Sequence, residues 1–211
     1  MNIYLVRHGD DDERYRGGWS QLPLIEEGIE KSKKLADFLV GPQDECIKYS
    51  KQKEKILVDR IIASDLKRAK MTADIINEKL NVEIKYDERI RENNNGIFAG
   101  MLNEEAIKKY PNAFFSNLKY NERFPEGESP KEFFHRIRSA FFSIIEENND
   151  VENLMIVTHA GVISIIYHII LRLRWTNRKK SVKLPKTSIT KVKIEGKAKD
   201  VCYSGFTPHL K

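Results

Sequence analysis

Two histidines and two arginines follow short apolar runs of the chain. Arg7 and His8 follow the first run, Arg68 comes shortly after the second, and His159 directly follows the third. A neutral imidazole can act as a nucleophile near neutral pH, and the planar forks of arginine fit phosphate oxygens. Phosphoryl transfer asks a protein chiefly for positioning and charge stabilisation. Brought together, these four side chains could perform that reaction without a metal or a cofactor.

The elements that must position these side chains can be predicted from the hydrophobic pattern. The apolar runs predict buried strands at residues 2–6, 60–63 and 154–157. Apolar residues at helical spacing predict helices at 26–40, 66–80, 130 onwards and 162–173. This alternation predicts a three-layer α/β fold, with a mostly parallel sheet and helices on both faces. Since ligands bind at the carboxyl ends of strands in such sheets, we expect the histidines and arginines to meet at one edge.

The remaining segments are predicted to complete one domain over residues 1–211. Residues 93–128, rich in Asn, aromatic residues and Pro, predict loops with a short helix near 103–110, forming a small cap over the site. An edge strand is predicted at 82–86 and closing strands at 188–194 and 201–204. Residues 41–59 are predicted to form a mobile surface excursion.

Local signals also predict where two of the helices begin. Ser64 and Asp65 offer an N-cap for the second helix, and Ser129 with Glu132 forms a capping box for the helix after the cap segment. Ser64 is therefore interpreted as a helix cap and not as a catalytic hydroxyl. The other histidines, which are interpreted as structural or surface residues, are His135, His168 and His209.

Composition restricts the class of protein without selecting a substrate. The net charge of +6 favours anionic partners in general. The longest apolar segment, residues 162–171, is shorter than the roughly 20 residues that a membrane span needs. Residues 1–25 lack the features of a signal peptide, and Cys46 and Cys202 have neither metal-site spacing nor a disulfide framework. We expect a cytoplasmic protein that acts on a small phosphorylated molecule, with no resident metal and no membrane contact.

A basic stretch near the end of the chain has two interpretations. No Asp or Glu occurs between Glu152 and Glu195, while residues 172–193 contain nine Lys and Arg. A solvated basic surface is the preferred interpretation; an anion-attracting flank or a nucleic-acid patch is the alternative. Trp175 is the one aromatic residue among them, which makes a stacking surface for nucleic acid unfavourable.

Five segments carry motifs in a fixed order. They are Arg7-His8-Gly9, Ser64 to Ala73, Arg91 to Gly100, Pro125 to Ser129 and Val157 to Gly161. Together they resemble the histidine phosphatase superfamily, the phosphoglycerate mutase-like proteins, over nearly the whole chain. The resemblance implies that His8 is the phosphohistidine nucleophile, that Arg68 binds phosphate and that His159 is the second histidine. It also implies that Glu92 is the proton donor.

One loop departs from that family pattern. An acidic residue followed by Thr or Ser is expected after Arg-His-Gly, with an Asn slightly later, but the chain reads Asp10-Asp11-Asp12-Glu13-Arg14. Asp11 stands where a phosphate-binding hydroxyl is expected, and Arg14 stands roughly where the Asn is. A carboxylate there repels phosphate unless it is paired. Arg14 or Arg16 could compensate, and we predict that Arg14 contributes to phosphate binding.

Three functions are compatible with the sequence. The first is a phosphatase that hydrolyses phosphomonoesters through phospho-His8, with Arg7, Arg68 and His159 stabilising the transferring group. The second is a mutase of the phosphoglycerate type, which the short early loop makes less favoured. The third is a weakly catalytic module that binds phosphorylated ligands or nucleic acid.

Overall fold

The computed structural model describes residues 1–42, 55–178 and 182–210. Within these residues, six strands form a single sheet in the order β3-β2-β4-β1-β5-β6. The strands are β1 (Asn2–Arg7), β2 (Arg60–Ala63), β3 (Glu83–Tyr86), β4 (Asn153–Thr158), β5 (Ile189–Glu195) and β6 (Ala198–Phe206). The first four are mutually parallel, and β5 and β6 add antiparallel strands at the other side of β1. The predicted mostly parallel sheet is therefore confirmed.

The α-helices of the described residues pack on both faces of this sheet. They are α1 (Glu26–Val40), α2 (Lys67–Leu80), α3 (Asn103–Lys109), α4 (Pro130–Glu147) and α5 (Ala160–Ile170). In β1, Ile3 and Leu5 belong to a core with α4 and α5, whereas Tyr4 and Val6 belong to a second core with α1 and α2. Strand side chains alternate between faces, so the predicted three layers follow directly from this pattern.

Strand register brings three carboxyl ends to the same level. Arg7 at the end of β1 lies opposite Thr158 at the end of β4, and Ala63 of β2 lies opposite Val157 of β4. The residues that follow these strands therefore emerge side by side. Their backbone is held by cross-strand bonds, since the His8 amide donates to the Thr158 carbonyl at 2.9 Å.

The segment predicted as a cap contains short helices and a small core. Residues Gly96–Phe98 and Phe115–Asn117 are 3₁₀ turns on either side of α3, which matches the helix predicted near 103–110. Phe98, Leu118 and Phe124 pack together as a separate apolar cluster. The Ser129–Glu132 capping box is present at the start of α4, with Pro130 as its first residue.

Two predicted boundaries were wrong. Helix α2 has Leu66 at its N-cap without a side-chain cap bond, because Ser64 and Asp65 bond elsewhere. Helix α5 ends at Ile170 and not at 173, since Arg172 has a left-handed backbone (φ 54°) that ends the helix. Most of the excursion predicted at 41–59 lies outside the described residues, as does Cys46. Of the helices that the structure describes, none combines the length and apolarity needed to cross a bilayer.

Candidate active site

His8 is a neutral imidazole in which one ring nitrogen carries no proton. Its Nδ1 lies 2.7 Å from the Gly9 carbonyl, which can only accept a hydrogen bond, so Nδ1 carries the proton. The Nε2 atom therefore keeps its lone pair, and Nε of Arg68 donates to it at 3.3 Å. A Cβ on Gly9 would lie 2.6 Å from the Gly28 carbonyl, so glycine is required for this close approach of β1 to α1.

His159 faces His8 from the neighbouring strand β4. Their ring centroids are 5.1 Å apart. Nε2 of His159 is hydrogen-bonded to Ser64 Oγ at 2.9 Å, which is why Ser64 does not cap α2 as predicted. Nδ1 of His159 is buried and has no hydrogen-bond partner among the described residues.

Arg68 is almost completely buried, with 2% of its surface exposed. From the first turn of α2 its Nη atoms donate to the backbone carbonyls of Ser20 (3.1 Å) and Gly18 (2.8 Å). Together with the bond from Nε to His8, these contacts fix the guanidinium beside the imidazole. The structure thus brings Arg68 to His8, as the position in the first helical turn predicted.

Arg7 supplies a second, half-buried guanidinium at the end of β1. Its Nη1 donates to the Leu184 carbonyl at 2.6 Å, while its Nε is buried without a partner in the part of the chain that the structure describes. Buried polar groups are rarely left unsatisfied. The unpaired Nε of Arg7 and Nδ1 of His159 are therefore groups that a bound oxyanion would satisfy.

Burial and neighbouring cations keep both histidines uncharged. Burial lowers the pKa of His8 well below its usual range, and Arg68 and His159 lower it further. The pKa of His159 is also lowered strongly, first by burial and then by Arg68 and Arg7. Both imidazoles are neutral near pH 7, the form in which His8 is nucleophilic.

Glu92 lies at the amino end of α5, beside the same strand ends. Its Oε2 accepts from the Gly161 amide and its Oε1 from the Asn93 amide, both at 3.0 Å. A Cβ on Gly161 would lie 2.3 Å from Oε1, so glycine is needed for the carboxylate to reach the helix.

The backbone of Glu92 is held by residues that the sequence did not identify as important. Its carbonyl accepts from Trp19 Nε1 at 2.7 Å and from Arg136 Nη2 at 3.0 Å. Arg136 is itself paired with Glu128 at 2.6 Å. A strong motif marks neither Trp19 nor Arg136, and only the fold shows that both support the Glu92 loop.

The negative charge of Asp11 is not balanced by Arg14 or Arg16, the cations that the sequence suggested. Asp11 is paired with Lys186 at 2.5 Å and lies 3.5 Å from Arg68. Arg14 is paired with Asp12 at 2.6 Å, with 78% of its side chain exposed, so the structure does not bring Arg14 to the other predicted residues. Arg16 lies over the Phe114 ring. The compensating cation, Lys186, comes from the basic stretch that was interpreted as a solvated surface.

A cleft of 740 Å³ opens beside these residues. Arg7, Glu92 and Gly161 line the end next to the histidines, and its walls come from the cap segment, α4, α5 and residues 175–177 and 182–185. This placement gives the predicted acid a direct path to a molecule in the cleft. Within residues 1–42, 55–178 and 182–210, the structure has no group of three or more His, Cys, Asp or Glu that could hold a metal ion.

Comparison with known families identifies the class of this protein. Residues 3–204 match the histidine phosphatase superfamily, branch 1. The chain therefore belongs to that superfamily, which confirms the family predicted from the five ordered motifs.

Particular relatives lie within the same class. The protein named probable phosphoglycerate mutase GpmB from Salmonella arizonae is 28% identical over 202 residues, covering 91% of this chain and 84% of the relative. The structure of YhfR from Bacillus stearothermophilus is 25% identical, with a TM-score of 0.83 and coverage of 100% of this chain and 99% of that one. An alpha-ribazole phosphatase from Shigella flexneri shares the fold at 19% identity, with a TM-score of 0.77 and coverage of 95% and 94%.

Proposed function

We propose that this protein is a phosphatase that hydrolyses phosphomonoesters through a phosphohistidine intermediate on His8. The observation that carries the proposal is the neutral His8, whose unprotonated Nε2 lies beside the buried guanidinium of Arg68. Beside it, the Nε of Arg7 and the Nδ1 of His159 are buried polar atoms that a phosphate would satisfy. Membership of the histidine phosphatase superfamily supports the same chemistry.

The first half-reaction transfers the phosphoryl group to His8. Nε2 attacks phosphorus in line with the ester oxygen, so the N–P bond forms as the P–O bond breaks. Arg7, Arg68 and His159 stabilise the charge on the non-bridging oxygens. Glu92 gives its proton to the departing alcohol oxygen, which leaves as a neutral alcohol.

The second half-reaction returns His8 to its starting state. Glu92, now a carboxylate, accepts a proton from a water molecule that attacks the phosphorus. The N–P bond breaks, and inorganic phosphate and neutral His8 are released. Each proton that Glu92 gives in the first step is thus recovered in the second.

A mutase is the second candidate, because the GpmB relatives carry the name phosphoglycerate mutase. It would share the first half-reaction but return the phosphoryl group to a bound acceptor and not to water. Incubation with 3-phosphoglycerate separates the two activities. Formation of 2-phosphoglycerate faster than inorganic phosphate would favour the mutase.

The test of the phosphatase is hydrolysis of p-nitrophenyl phosphate in the presence of EDTA. We expect the wild type to turn over and His8→Ala to lose at least about 1,000-fold in kcat. His135→Ala is the matched control, since His135 is exposed on α4 and should retain activity. The phosphorylated enzyme should be acid-labile and alkali-stable, as phosphohistidine is.

Two results would contradict the proposed function. One is undiminished turnover by His8→Ala, which would exclude His8 as the nucleophile. The other is loss of wild-type activity with EDTA that a divalent cation restores, which would require a metal in the mechanism.

A further inference from the structure

Three aromatic rings line the cleft that contains Glu92. Phe115, Phe133 and Trp175 line it, with centroid separations of 5.8 Å between Phe115 and Phe133 and 6.2 Å between Phe133 and Trp175. Leu184 and Pro185 add aliphatic surface. Such surfaces bind flat rings by offset and edge-to-face contacts as well as by burial of apolar area.

The cleft is held open by bonds between its walls. Nδ2 of Asn177 donates to the carbonyls of Phe115 (2.5 Å) and Leu118 (3.0 Å), which ties the segment after α5 to the cap segment. Nη1 of Arg7 donates to the Leu184 carbonyl at 2.6 Å, which ties the opposite wall to the phosphate-binding edge. A ligand can therefore enter a preformed space, and little ordering is needed on binding.

The size and charge of the cleft restrict what can occupy it. A volume of 740 Å³ is in the range that accommodates drug-sized ligands and far exceeds a three-carbon acid. Of the charged residues lining it in the described chain, Arg7 and Glu92 face the reacting phosphate, and Lys183 is exposed. Among the lining residues that the structure describes, Lys183 is the one cation left to pair with a second anionic group of a ligand.

We propose that this cleft is the leaving-group site and that it takes a ring-bearing alcohol. The inference rests on the proposed function, because Glu92 lies on the cleft wall and protonates whatever oxygen departs toward it. With the phosphoryl group at His8, the ester oxygen faces Glu92 and the organic group extends along Phe133 toward Trp175. The favoured substrates are accordingly phosphomonoesters of bulky aromatic alcohols.

The test compares two esters whose alcohols leave equally well. These are 2-(1-naphthyl)ethyl phosphate and ethyl phosphate, both esters of primary alkyl alcohols. We expect kcat/KM to be about 10- to 100-fold higher for the naphthyl ester, since only it buries apolar area in the cleft. Trp175→Ala should reduce this ratio about tenfold, because it removes a ring that only the naphthyl group can contact.

Two further variants control for indirect effects. Trp175→Phe keeps an aromatic wall and should retain most of the preference. Tyr86→Ala removes an exposed aromatic side chain on β3, far from the cleft, and should leave both rates unchanged. Far-UV circular dichroism spectra that match the wild type report that each variant remains folded.

The outcomes separate this inference from the function on which it rests. Equal kcat/KM for the two esters, or a preference that survives Trp175→Ala, overturns the leaving-group site and leaves the phosphatase intact. If the wild type hydrolyses neither of the two esters, the proposal that the protein is a phosphatase is overturned. In that case the cleft is tested by calorimetry with 2-(1-naphthyl)ethylphosphonate and ethylphosphonate. Equal affinities of the wild type for the two phosphonates refute an aromatic site. A higher affinity for the naphthyl compound that is lost in Trp175→Ala supports it.

Discussion

At the scale of single residues, the protonation of His8 is set by its immediate neighbours. The Gly9 carbonyl places the imidazole proton on Nδ1, and Arg68 and burial keep a second proton off Nε2. The same buried arginine that orients the nucleophile thus also maintains its neutral state. His8, the proposed nucleophile, and Arg68, the proposed phosphate-binding cation, are therefore not independent parts of this site.

The Asp11–Lys186 pair leads to a prediction about phosphate affinity. Asp11 places a carboxylate beside Arg68, and Lys186 offsets its charge. We expect Asp11→Ser to lower the inhibition constant of inorganic phosphate about tenfold, because a repulsive charge is removed and Lys186 becomes available to the anion. Lys186→Met should raise that constant about tenfold, as it leaves Asp11 less compensated.

Competitive inhibition of p-nitrophenyl phosphate hydrolysis by phosphate measures both effects. Lys33→Met is the matched control, since Lys33 is exposed on α1 and paired with Glu30. An Asp11→Ser variant with unchanged or weaker phosphate inhibition would show that the carboxylate does not act on the bound anion.

Sequence reasoning found the residues of this site that belong to motifs and missed those that depend on tertiary structure. His8, Arg68 and His159 could be predicted because each follows a strand whose end must lie at the same sheet edge. Lys186 could not, because it comes from a loop whose path is set by β5 lying antiparallel beside β1. The sequence did contain one indication of such a residue. The negative charge of Asp11 beside a phosphate site requires a nearby cation, and the basic stretch at residues 172–193 contains several.

At the scale of secondary structure elements, the spacing of apolar residues predicted where the helices lie. Where each helix begins depends on whether its capping side chains have other hydrogen-bond partners. Ser64 and Asp65 have the residue types of an N-cap, yet Ser64 bonds to His159 and Asp65 pairs with Arg91. Ser64 Oγ also accepts from the Leu66 amide at 3.4 Å, but no side-chain bond caps the first turn of α2. At Ser129 no such partner competes, and the predicted capping box forms.

That capping box should contribute measurably to stability. Ser129→Ala removes the acceptor for the Glu132 amide and is expected to lower the free energy of unfolding by about 1 kcal/mol. Chemical denaturation monitored by circular dichroism measures the change. Ser139→Ala on the exposed face of the same helix is the control and should have little effect. Equal stabilities for both variants would mean that the box adds nothing to the folded state.

At the scale of the whole molecule, buried neutral histidines make stability depend on pH. Burial lowers the pKa of His209 to about 4, whereas an unfolded histidine titrates near pH 6.5. Between these values the unfolded chain binds the proton and the folded chain does not, so acid favours unfolding. His8 and His159, with pKa values lowered in the same direction, add to the effect.

His209 isolates one part of this dependence because it lies outside the candidate site. From about pH 6 down to about pH 4.5, we expect the free energy of unfolding of His209→Gln to fall by about 1.4 kcal/mol less per pH unit than that of the wild type. Urea denaturation at several pH values provides the slopes, and His135→Gln, an exposed substitution, should reproduce the wild-type slope. Parallel curves for wild type and His209→Gln would show that His209 is protonated in the folded state.

The central place of β1 in the sheet has a consequence for biosynthesis. Asn2 pairs with Asn153 on one side and with Lys193 on the other. At typical translation rates, the partners of β1 are made on the order of 10 to 40 s after β1 itself. The strand that precedes His8 is thus an apolar segment without its sheet partners until residues 153–195 have been made. The backbone of His8 can be fixed only then, because its amide donates to the Thr158 carbonyl and its carbonyl accepts from the Thr187 amide.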